Sequence, residues 1–219
     1  MSRFIASIGL LMAIFICFFS TEINAQKSVF RDSLVQDFRA GTLIIHLKTY
    51  ENKLNSIESV LHRADTSPNY RKRLMEKRDL IIANRDRYNQ DLVSAFNELY
   101  TFSEVRFMFN TDIKRFQTGD LDSVFLGTDL LPLREVEPVK GSYYFFGEGN
   151  TRMSGNSREG LLVMDKNGDQ LPSWFPSYFR AKSNGKSFFS MFGGDGYAYM
   201  PAEKVVRKFL KKLGTMGGR

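Results

Sequence analysis

The chain has 219 residues, 42% of them hydrophobic and 25% charged, with a formal net charge of +7. That is the composition of a folded protein with one large domain or two small ones, and it argues against a disordered chain or a polytopic membrane protein. The excess of positive charge comes without a recognition motif or a basic–aromatic platform, so nucleic acid is not the expected partner.

Arg3 precedes an uncharged apolar run, FIASIGLLMAIFICFF, over residues 4–19. A polar stretch then leads to Asn24-Ala25 before Gln26. Positive flank, apolar core and small residue predict a secretory signal over 1–25, cleaved after Ala25. The alternative is a retained anchor, but the run is shorter than the roughly 20 residues of a spanning helix. The single cysteine, Cys17, lies inside this run behind Phe15 and Ile16. A lipid-anchored chain needs small residues at those positions. The mature chain is thus expected to be cysteine-free, which excludes disulfides, a thiol nucleophile and cysteine-ligated metal. Arg3 and Glu22 leave together, so the exported chain keeps its charge of +7. A basic exported protein meets anionic lipid, polysaccharide or acidic protein surfaces.

Residues 28–100 read as helix. Leu43, Leu47, Tyr50, Leu54, Ile57 and Leu61 step by fours and threes, a heptad seam. Leu74, Ile81, Tyr88 and Ala95 repeat every seven residues. The ADTSPN break offers Ser67 as a cap and Pro68 as the first helical residue. The expectation is an antiparallel helical hairpin, 29–63 and 67–100, with arms roughly 50 Å long. Arg78 and Arg85 fall on the second seam, so they either snorkel at its margin or show that the seam is closed by something else.

From residue 102 the pattern changes. EVRFMFN (104–110) reads as a buried strand, and TDIKRFQTG as a short helix capped by Thr111 or Asp112. SVFLG (123–127), SYYFFGE (142–148) and SFFSMF (187–192) read as strands. GLLVMD (160–165) and DQL (169–171) flank KNG, a hairpin signal. GGDG (193–196) reads as a turn. A last helix begins near Pro201 with Val205, Val206, Phe209, Leu210 and Leu213 on one face, and Gly214 ends it. The fold class expected is α+β: an N-terminal antiparallel helical hairpin over 26–101, then a mixed-sheet α/β domain with a C-terminal helix over 102–219.

Few motifs carry chemistry. Asp165–Asp169 has glycine fourth rather than sixth, so it reads as a hairpin turn and not a calcium loop. Asn184-Gly185-Lys186-Ser187 lacks the leading glycine of a phosphate loop, since position 180 is Arg180. His46 and His62, the only histidines, would stand about 24 Å apart on one helix and cannot share a metal. The α/β part then has no histidine base. The pairs Asp120/Asp122 and Glu135/Glu137 remain as acid–base candidates. Lys204, Arg207, Lys208, Lys211 and Lys212 line the polar face of a helix expected to dock on the sheet.

These readings assign no catalytic residue, no cofactor and no metal ligand. Partner-binding candidates are the aromatics Trp174, Phe175, Tyr178 and Phe179, which either plug the core or form a patch below loop 148–159. Arg71, Lys72 and Arg73 at the hairpin tip are the second set, suited to an acidic protein or an anionic membrane surface.

The INA-Gln cut and LLVMDKNGDQLPSWFPSYFR resemble secreted, periplasmic proteins of Bacteroidota over about residues 100–213, a likeness that implies no activity. The element order ending in GLLVMDKNGDQL and a final helix is similar to the thioredoxin-like fold. That likeness places the family's active site after EVRFMFN, at Asn110-Thr111-Asp112-Ile113. The redox cysteines are absent there, so only the fold carries over. The function expected is a non-enzymatic, exported protein-interaction module with envelope proteins as partners, and the seam arginines admit a homodimer. A periplasmic holdase chaperone and a glycan- or small-ligand-binding protein or carboxylate enzyme are the alternatives.

Overall fold

The computed structural model describes residues 29–63, 67–151, 159–179 and 200–216. The signal segment expected at 1–25 lies outside these residues, as do 152–158, the Asn184–Ser187 motif, the strand expected at 187–192 and the turn expected at 193–196.

Helix α1 (29–40) buries Val35 and Phe38 with Arg31 and Leu34 partly covered, one face at three- and four-residue spacing. It stops at Gly41, where a methyl group would come within 2.4 Å of the Ser142 carbonyl oxygen and 2.9 Å of that of Asp37. Only glycine allows the chain to pass so close and enter β1 (Thr42–Leu47), whose first N–H bonds Ser142 O at 3.0 Å. Then follow α2 (Glu51–Leu61), α3 (Pro68–Leu99), β2 (Glu104–Phe109), a 3₁₀ turn (Asn110–Asp112) and α4 (Ile113–Gln117). The chain continues through β3 (Phe125–Leu126), β4 (Tyr143–Asn150), β5 (Glu159–Met164), β6 (Tyr178–Phe179) and α5 (Ala202–Gly214).

The strands form one mixed sheet of order β3-β2-β1-β4-β5-β6. β1 is parallel to both β2 and β4, while β3, β5 and β6 pair antiparallel to their neighbours. Leu43, Ile45 and Leu47 point to the face covered by α1, α3 and α5, into a core that includes Phe38, Phe96, Phe146 and Phe209. Ile44 points the other way, to Met108, Phe116, Phe125 and Phe145 under α4 and the segment that follows it. A central parallel strand covered on both faces needs an unbroken apolar run, and TLIIHL supplies one.

The expected mixed α+β class with a C-terminal helix is what the structure shows. The first hairpin arm is not. Residues 42–47 are the middle strand of the sheet, so the seam from Leu43 to Leu61 is divided between β1 and α2. The boundary expected at 101/102 therefore separates β1 from its partners β2 and β4. The strand at 104–109 is the second strand rather than the first, so the position after the first strand is Lys48–Glu51 and not Asn110–Ile113.

A shorter pair, α2 and α3, does form. Ser67 Oγ accepts the Tyr70 N–H at 3.4 Å and Pro68 opens α3, as the sequence predicts. The seam arginines are paired: Arg78 bridges Glu58 at 3.0 Å and Asp79 at 2.9 Å, and Arg85 bridges Asp86 at 2.7 Å. Asp112 does not cap α4 through its side chain but pairs with Arg115 at 3.3 Å. On α5, Val205, Val206, Phe209 and Leu213 are buried and the five basic residues are exposed. No helix among the described residues is long and apolar enough to cross a membrane.

Candidate functional site

Of the three parallel strands, β1 and β2 end level, Leu47 beside Phe109, and β4 runs alongside them and on to Asn150. In open α/β sheets the crevice beyond the carboxyl ends of parallel strands is where ligands bind. The residues that reach it are Lys48, Thr49 and Tyr50 after β1, Asn110 after β2, and Glu148 within β4.

The turn after β1 is held by side chains from two elements, α3 and the 3₁₀ turn that follows β2. Asn89 of α3, 3% exposed, accepts the Lys48 N–H at 3.2 Å and donates to the Lys48 carbonyl at 2.9 Å. Arg85 Nη1 donates to Thr49 O at 3.0 Å. Asn110 Oδ1 accepts from Thr49 N at 3.0 Å and from Thr49 Oγ1 at 3.2 Å. A loop whose backbone groups are met this way keeps one geometry. The next residue, Tyr50, sits at φ 55° in the left-handed region, a strain of order 1–3 kcal/mol for a non-glycine residue. Strain of that kind persists only where its surroundings hold it.

The Lys48 ammonium stands 4.8 Å from the Tyr50 ring centroid, donates to Tyr50 Oη at 3.3 Å and forms an ion pair with Glu148. The two charged side chains are only 17% and 31% exposed. Lys48, Asn110 and Glu148 border a cleft of about 310 Å³ whose other walls include Phe145, Ile113, Gln117 and Met164. A second recess of about 360 Å³ continues past the same three residues to Thr49, Tyr50 and Thr111.

His46 also lines the cleft. Its ring lies 4.6 Å from that of Phe145 and passes over Gly147, where a Cβ would come within 2.9 Å of the His46 Cβ. Its Nε2 is buried with no hydrogen-bond partner among the described residues. Burial pushes the imidazole down to about 4, so it is neutral at pH 7. The sheet therefore does hold a histidine, contrary to the expectation that both histidines share one helix.

The other sequence candidates fall elsewhere. Phe175 and Phe179 are 2% and 4% exposed and belong to the core, where Phe175 meets Phe38 at 4.9 Å and Phe179 meets Phe209 at 5.2 Å. Trp174 is partly buried, edge-on to Phe30 at 6.3 Å and under the Arg31 guanidinium at 5.5 Å. The aromatic stretch thus plugs the core rather than forming an open patch; the Tyr178 side chain lies outside the described set. Arg71, Lys72 and Arg73 are exposed at the start of α3. Asp120 pairs with Arg115 at 2.9 Å, which holds its carboxyl below the usual range, and Glu137 pairs with Lys140 at 2.8 Å. Asp165 Oδ1 accepts from Asn167 N and Asp169 N, both at 2.9 Å, closing the hairpin turn with Gly168 at φ 80°. No group of three or more metal-ligating side chains occurs among the described residues.

Sequence reading passed over Lys48 and Asn89; it named Asn110 only through the thioredoxin-like likeness and Glu148 only as the start of loop 148–159. The available signal was polar residues directly after, or late in, the apolar strands LIIHL, RFMF and YYFFG. Comparison with protein-family models, with curated proteins and with solved structures finds no match.

Proposed function

We propose that this is an exported protein that binds a small ligand in the cleft at the carboxyl ends of β1, β2 and β4. One observation carries the reading: Lys48 after β1, Asn110 after β2 and Glu148 of β4 line one recess together with the apolar Ile113, Phe145 and Met164. A few fixed polar groups above an apolar floor is the usual construction of a small-molecule site. The bracing of Lys48–Tyr50 by Asn89, Arg85 and Asn110 supports it, because a preformed site loses less entropy on binding. The signal segment at 1–25 supports export.

The test is a thermal-shift screen of sugars, amino acids and phosphate compounds. A ligand at a hundred times its Kd adds about 2.7 kcal/mol of stability. That gain is expected to disappear in Lys48→Met and in Glu148→Gln while the unliganded proteins stay folded. Ligands that stabilise both variants as well as the parent protein would place binding elsewhere and end the proposal.

The start of α3 favours a second reading, a protein-interaction arm. Tyr70, Met75 and Leu80 are 50%, 44% and 48% exposed there, before and after the exposed Arg71, Lys72 and Arg73 in the chain. In-cell crosslinking is expected to capture an envelope protein that a triple Arg71→Glu, Lys72→Glu, Arg73→Glu variant loses. Retention of the same partner by that variant counts against the arm.

A further inference from the structure

We infer that the cleft takes a neutral, polyhydroxylated molecule, a saccharide or sugar alcohol, in preference to an anion, a cation or a zwitterion. This rests on the cleft being the binding site.

The charges at the cleft already cancel. The Lys48 ammonium is engaged by Glu148, by Tyr50 Oη and by the Tyr50 ring face. An anion drawn to Lys48 meets the Glu148 carboxylate, and a cation drawn to Glu148 meets the ammonium. Separating the pair to admit a zwitterion breaks contacts made between largely desolvated groups. A hydroxyl has neither cost: it carries no charge and can donate to a carboxylate while accepting from a donor nearby.

The remaining polar groups match such a ligand. Asn110 turns its carbonyl oxygen to Thr49, which leaves its amide N–H₂ as the group on offer. Gln117 adds a second amide, one donor and one acceptor group, on an exposed position of α4. Neither amide N–H₂ has a hydrogen-bond partner among the described residues, and Glu148 retains carboxylate lone pairs as acceptors. The cleft therefore offers both donors and acceptors. Below them Phe145, Ile113 and Met164 present an apolar surface that suits the C–H face of a sugar ring. A volume of about 310 Å³ is at the small end of ligand sites, with room for one or two rings.

The experiment is a nuclear magnetic resonance titration of the purified full chain. The neutral probes are maltose, N-acetylglucosamine and mannitol; glycylglycine serves as the zwitterion and inorganic phosphate as the anion. At least one neutral probe is expected to shift the side-chain amide resonances of Asn110 and Gln117 saturably. Gln117→Leu, an exposed substitution, is expected to raise that Kd about tenfold, the effect of one hydrogen bond. Asn110→Asp is the second variant, and unchanged Gly41 resonances report that each folds. If glycylglycine or phosphate saturates these side chains and no neutral probe does, the ligand class is overturned while the cleft stands as a site. If none of the probes moves them, both readings fall.

Discussion

Phe209→Ala is expected to lower the unfolding free energy by about 3–5 kcal/mol, the range for truncating a buried aromatic. Phe209 is fully buried and is the point where four elements meet α5. Its ring lies 5.6 Å from Phe146 of β4, 5.2 Å from Phe179 of β6 and 6.2 Å from Phe38 of α1, and it stacks at 5.8 Å on Tyr100 after α3. Removing it leaves a cavity lined by rigid rings, which cannot collapse as aliphatic side chains can. Chemical denaturation gives the free energy, and the melting temperature should drop by about 10 °C for a chain of this size. Phe209→Leu, which keeps most of the volume, is expected to cost less than half as much. A loss below about 1 kcal/mol for the alanine variant would show that α5 is not part of the cooperative core.

The second large effect is on pH. The His46 imidazole is pushed down to about 4 by burial, while an unfolded histidine titrates near 6.5. Above 6.5 neither state binds the proton, so His46 contributes nothing to the pH dependence. As the pH falls from 6.5 to about 4 the unfolded chain takes up a proton that the folded chain refuses, and stability declines by about 1.4 kcal/mol per pH unit, about 3 kcal/mol in all. Below about 4 both states are protonated at this site and the loss levels off. Asp120, whose carboxyl is held below its ordinary value by Arg115, acts in a lower window: its contribution is present above about 3.8 and is lost as the pH falls below that. The ring's neighbours in the cleft are Lys48, which opposes its protonation, and Glu148, which favours it. His46→Phe keeps a ring against Phe145 and is expected to flatten the limb between pH 6.5 and 4 by one proton. An unchanged slope in that variant would mean that the histidine is open to water in the folded protein.

Much of the architecture is legible in the residues. The Ser67-Pro68 cap, the strand EVRFMF, the turn at Asp165–Asp169 and the apolar face of α5 are local features, decided by backbone preferences and by periodicity within a few residues. The β1 strand is the instructive failure. Leu43 and Leu47 are four apart, a spacing that fits one face of a helix and, being even, one face of a strand as well. Tyr50, Leu54, Ile57 and Leu61 continue the helical steps in α2, so the pattern crosses the Thr49–Tyr50 turn without showing it. What separates the two readings is the run Leu43-Ile44-Ile45, apolar on both faces, together with Gly41 before it. That run has a place only if both faces are covered, and the cover comes from α1, α3 and α5 on one side and from α4, with Phe116, and the segment that follows it on the other.

The candidate site was harder to read for the same reason. Lys48, Asn89, Asn110 and Glu148 are ordinary polar residues at spacings that form no motif. The sequence by itself determines the apolar N-terminal segment, the absence of any cysteine beyond Cys17, the positive charge, the caps and turns, and the amphipathic last helix, because each is a property of composition or of a short window. Only the tertiary structure decides that residue 46 is a strand histidine over Gly147, that Arg78 reaches Glu58 and Arg85 the Thr49 carbonyl, that Phe175 and Phe179 are core, and that residues from β1, β2 and β4 share a cleft. Each of those depends on partners tens of residues away, brought together by burial of the two sheet faces, and no local pattern records which partner that will be.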